Sequence, residues 1–62
     1  MADPLSEERR REVFAALVAA QDRGLGVAAA RKQVAAEHGL TPRRVEKIEE
    51  EGLDAGWPPL DG

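Results

Sequence analysis

Few side chains in this chain could act at a reacting centre. Cysteine is absent, which removes thiolate nucleophiles, thiolate metal sites and disulfides together. His38 is the only histidine, and a metal site needs several ligands gathered in space; a position at a helix end, near carbonyl termini, accounts for it. Carboxylates are plentiful, but no pair is set in an apolar surround that would shift a pKa toward acid–base catalysis. No catalytic residue, cofactor or metal is expected, and the chain does not read as an enzyme. What remains is charge. Twelve acidic against nine basic residues leave a net charge of -3, which argues against a non-specific nucleic-acid coat. The signs are nevertheless segregated: Arg9-Arg10-Arg11, Arg31-Lys32 and Arg43-Arg44 with Lys47 are basic, whereas Glu46 and Glu49-Glu50-Glu51 are acidic.

The elements that must position these charges follow from local pattern. Ser6 before Glu7 and Glu8 is a helix start, because its hydroxyl can accept an orphan backbone N–H and the acids suit the positive helix end. Helix 1 is expected over about 7–22, with Val13, Phe14, Leu17, Val18 and Gln21 on its inner face and alanines between them. Gly24-Leu25-Gly26 stops it. Helix 2 is expected over about 27–37, with Val27, Ala30, Val34 and Ala35 on one side. His38-Gly39-Leu40-Thr41-Pro42 then combines a glycine able to adopt positive φ, a threonine N-cap and a proline at the first helical position. Helix 3 is expected over about 42–51, with Val45 and Ile48 inward and Leu53 continuing the stripe past Gly52. The tail, residues 54–62, should be irregular, with Trp57 and Leu60 folded back onto the helices. The whole chain of 62 residues reads as a single all-α domain, a three-helix bundle with a Trp-anchored C-terminal tail. Its core is thin in large side chains, since eleven of its hydrophobic residues are alanine; close packing through Ala must compensate. The start, Met1-Ala2-Asp3-Pro4, lacks a basic leader, and the longest apolar run, 13–20, is too short to span a bilayer. A cytoplasmic protein with no membrane partner is expected.

The stretch from Arg31 to Glu50 resembles a helix-turn-helix unit of bacterial DNA-binding proteins. That family places a small residue where two helices cross, a glycine at the turn four residues later, and branched apolar residues at two positions of the following helix. Ala35, Gly39, Val45 and Ile48 occupy those places here, with Val34 and Leu40 apolar as well. Each has a physical reason: Ala35 permits close approach, Gly39 supplies a left-handed turn, and Val45 with Ile48 seals helix 3 onto the core. Residues 39–49, Gly-Leu-Thr-Pro-Arg-Arg-Val-Glu-Lys-Ile-Glu, continuing to Leu53, are similar to the promoter-reading (region four) domain of primary bacterial sigma factors. The whole chain also resembles a group of small bacterial proteins of unassigned activity ending in Gly-Leu-x-x-x-Trp-Pro-Pro-Leu, here Gly52 to Leu60.

The sigma-like resemblance implies a DNA-binding, transcription-associated module. Helix 3 would enter a major groove of double-stranded DNA, with Arg43, Arg44 and Lys47 on base edges or phosphates and Thr41 opening the helix beside them. Arg31 and Lys32 would clamp the flanking backbone. His38 stands where the family has an apolar residue, and Glu46 where it prefers a basic one. The acids at 46 and 49–51 would repel phosphates, and three of them lie near a helix C-terminus, where the dipole disfavours anions. Arg9-Arg10-Arg11 is the intramolecular candidate to offset them, since helix 1 should pack against helix 3. The alternative function is a protein-protein interaction module on the same fold, using Glu46, Glu49, Glu50 and Glu51 toward a basic protein partner such as part of the transcription machinery, without DNA binding. No seam that would fix the oligomeric state is visible.

Overall fold

Capping residues divide the chain into three helices, and the computed structural model describes residues 5–58. The first helix, α1, is Glu7–Asp22, opened by Ser6, whose Oγ accepts from the Arg9 N–H at 3.2 Å. The second, α2, is Val27–His38, and the third, α3, is Pro42–Ala55. No strand occurs among the described residues. Each helix packs against both others, so the architecture is an all-α three-helix bundle.

The core is the meeting of one stripe from each helix. Val13, Phe14, Leu17 and Ala20 come from α1, Ala30, Val34 and Ala35 from α2, and Val45 and Ile48 from α3; all are buried. Leu5, Ala16, Val18, Leu25 and Leu40 pack around them. Three of the core members are alanines, which is how a chain poor in large apolar residues fills its interior: small side chains let the helix axes approach. Gln21, expected on the inner face of α1, is partly buried, and its Nε2 has no hydrogen-bond partner among the described residues.

Helices α2 and α3 end in the same way. Gly39 and Gly56 adopt left-handed conformations at φ 69° and 70°, and the residue after each turns back: Leu40 N–H donates to Ala35 O at 2.8 Å and Trp57 N–H to Gly52 O at 3.0 Å. This 6→1 closure satisfies orphan carbonyls and throws the following apolar side chain against the helix it terminates. Leu40 thereby packs against the core and Trp57 enters it. Trp57 is buried and meets the Phe14 ring edge-on, with centroids 6.0 Å apart and planes at 80°, while the Arg11 guanidinium lies 5.4 Å from its ring centroid, within cation–π range.

Four expectations are corrected here. Helix α3 does not stop near Glu51; it continues to Ala55, so Asp54 and Ala55 belong to a helix and not to an irregular tail. Gly52 is not the stop, which is left to Gly56; it is buried within α3 and is present because of space: a Cβ there would overlap three carbons of the Phe14 ring. Leu53 does not extend the inward stripe and is 56% exposed, because one further residue rotates 100° away from buried Gly52. Val27, the first residue of α2, is likewise exposed, one turn ahead of the first buried residue of that helix, Ala30. Helix α2 also runs one residue further than expected, to His38. The expected packing of Leu60 lies outside the described residues.

Candidate nucleic-acid interface

The rotation of α3 is set at its first turn. Thr41 has an extended backbone and its Oγ1 accepts from the Arg44 N–H at 3.1 Å, while Pro42, which lacks an N–H to satisfy, occupies the first helical position. Thr41 thus serves as the cap that positions the basic residues. From there the helical repeat assigns every residue a direction. Val45, Ile48 and Gly52 face the core and are buried. Directly opposite, Arg43, Lys47, Glu50 and Asp54 form the outward stripe, and all four are exposed. Between these two lines lie Glu46 and Glu49 on one flank and Arg44 and Glu51 on the other, all partly buried.

Each flank is gripped by an arginine from a neighbouring helix. On the α2 side, Arg31 donates from Nε and Nη2 to Glu49 Oε1 at 3.0 and 2.8 Å, and its Nη1 lies 3.9 Å from Glu46 Oε2. The hydrogen bond to Glu49, followed by the attraction of Glu49, Glu46 and Glu50, outweighs desolvation and holds the Arg31 guanidinium above its ordinary pKa. On the α1 side, Arg10 places its fork on Glu51, Nε to Oε1 at 2.9 Å and Nη2 to Oε2 at 3.1 Å, and its Nη1 donates to Leu5 O at 2.7 Å. Two-point arginine–carboxylate geometry of this kind is the stronger form of ion pair.

The expected basic set therefore divides. Arg43 and Lys47 stand together on the outward stripe, and Lys32 is exposed one position beyond Arg31 on α2; none of the three makes an ion pair with a described residue. Arg44 is turned toward the α1 flank and is partly buried. Arg31 is committed to the α2–α3 seam. The expectation that Arg9-Arg10-Arg11 as a block offsets Glu49-Glu50-Glu51 is met only by Arg10 and Glu51: Arg9 pairs with Glu12 at 3.6 Å and Arg11 with Glu7 at 2.7 Å, both within α1. Glu49 is offset from α2 instead. Glu46, which stands where the resembled family prefers a basic residue, sits one rotation step from Lys47 and leans toward Arg31. Among the four acids, Glu50 alone makes no ion pair with a described residue.

The Arg31–Glu49 link spans eighteen positions, and nothing local in the sequence announces it; the signal available was that 46 and 49, like 27, 31 and 35, fall on one side of their helices. The described residues enclose no pocket and hold no cluster of three or more metal-ligating side chains. No described helix is long and apolar enough to cross a membrane. Comparison with family models, curated proteins and solved structures finds no match to this chain.

Proposed function

We propose that the chain is a small DNA-binding, transcription-associated module that contacts double-stranded DNA through the first two turns of α3. The observation that carries this reading is the fate of the acids. Glu49 and Glu51, with Glu46 nearby, are drawn onto Arg31 and Arg10, whereas Arg43 and Lys47 remain exposed on the stripe opposite the core. A helix packed on two others by one face and presenting cations at the start of the opposite face has the form that groove-reading helices take. In this assignment Arg43 reaches a base edge or phosphate, Lys47 a phosphate, and Lys32 the flanking backbone. Arg44 lines the α1 side of the same end. Thr41 and Arg31 act by positioning: the first fixes where α3 begins and the second holds it against α2.

The test is fluorescence anisotropy of a labelled duplex at low salt. Binding should weaken steeply as salt rises, and removing Lys47 should lower the salt slope by about one. Absence of binding into the high-micromolar range, or binding indifferent to Arg43→Ala, Lys32→Ala and Lys47→Ala together, overturns it.

A second reading, the protein-interaction module, draws support from one place only. Leu53 is exposed beside the outward stripe, next to Glu49 and Glu50 one turn earlier, an apolar residue bordered by acids that a basic partner surface could cover. Under that reading Glu50→Gln with Leu53→Ser removes capture of the partner, while the DNA titration shows nothing.

A further inference from the structure

The outward stripe of α3 changes sign along its length, and the change has a geometric consequence for the DNA reading on which this inference rests. At 1.5 Å per residue, Arg43 and Lys47 are about 6 Å apart along the axis, Glu50 follows about 4.5 Å later and Asp54 about 6 Å after that. All four are exposed and point away from the core. None makes an ion pair with a described residue. A helix laid full length in a major groove about 12 Å wide would hold Glu50 and Asp54 between the same phosphate walls that attract Arg43 and Lys47. We infer that Glu50 and Asp54 are orientation determinants: they forbid lengthwise docking and admit α3 end-on, N-terminus first, so that only its first two turns enter the groove.

Entering end-on, the helix covers the DNA with its cross-section, about 10–12 Å with side chains, the length of about three base pairs at 3.4 Å each. One copy would then read a short site, and the two acids would suppress sequence-independent association, in which the phosphate backbone supplies essentially all of the attraction. Specificity of this kind comes from a repulsive element built against the wrong complex.

The experiment compares three proteins by anisotropy on one random-sequence duplex across a salt series: wild type, Glu50→Gln/Asp54→Asn, and the charge-matched control Glu8→Gln/Asp22→Asn. Both control positions are exposed acids of α1 without an ion pair to a described residue. Helical content by circular dichroism checks that all three are folded. The α3 variant should bind about threefold to tenfold tighter than both others at low salt, with the advantage shrinking as salt screens exposed charges. Wild-type binding that is unchanged or weakened in the α3 variant overturns end-on entry and leaves the DNA reading standing. An equal gain in the control assigns the effect to net charge and also overturns it. No binding by wild type or the α3 variant removes both readings.

Discussion

Phe14 is buried where α1 meets both α3 and a residue that follows it. Its ring occupies the space left open by Gly52 on α3 and receives the edge of Trp57 from beyond the end of that helix. Two opposed effects meet at Gly52. Alanine in a helix interior is favoured over glycine by about 1 kcal/mol, but overpacking a filled core costs about 1–3 kcal/mol, and the ring cannot retreat because it is fully buried with Trp57 against it. The overlap reaches the ring carbon nearest the backbone, so sterics should win. Gly52→Ala is therefore expected to lower the thermal midpoint, and Phe14→Leu, which vacates the ring volume, to make the added methyl much less costly. Additive losses in that double-mutant cycle would show that the two sites do not touch. The sequence pattern identified Phe14 as core through its spacing with Val13 and Leu17, but read Gly52 as the end of a helix, because a glycine required for close approach and a glycine that stops a helix are the same letter.

At the scale of elements, α3 is held by apolar packing along one line and by an arginine on each flank. Arg31 and Glu49 are both shielded, at 28% and 17% side-chain exposure, whereas the exposed pairs of Arg9 and Arg11 within α1 are about half open to water. Exposed pairs contribute about 0–1 kcal/mol; a shielded pair with two hydrogen bonds couples more strongly, but breaking one partner strands the other. Glu49→Ala should thus destabilise more than the double change Arg31→Ala/Glu49→Ala relative to Arg31→Ala, a non-additivity measurable by urea unfolding. No coupling would reduce the pair to surface decoration. The raised pKa of Arg31 carries a sign: a base whose folded pKa is elevated stabilises the fold at every pH below its unfolded value, and the contribution is lost only as strongly alkaline pH is passed. Salt and substitution, not neutral-range pH, are the variables that report on this seam.

For the whole molecule, the consequence of a small interior is that single large residues weigh heavily. Trp57 is the sole tryptophan, it is buried, and it enters the core from outside the three helices. Trp57→Ala should cost about 3 kcal/mol or more, a large share of the marginal stability of a domain this short, and the loss of helical signal at ambient temperature would report it. An unchanged melt would mean that the bundle closes without it. The helix starts, the turn at Gly39 and the central residues of the inner stripes were determined by the sequence itself, because capping, proline and 3.6-residue periodicity act over a few residues; the stripe ends at Val27 and Leu53 were not. The tertiary structure alone decided where the charges go. Which arginine takes which glutamate depends on the rotation of each helix about its axis and on which flank faces which neighbour, and no local rule encodes that. The net charge of -3 therefore concealed a division: acids on the flanks of α3 bound to the chain's own arginines, and Arg43, Lys47 and Glu50 left facing outward.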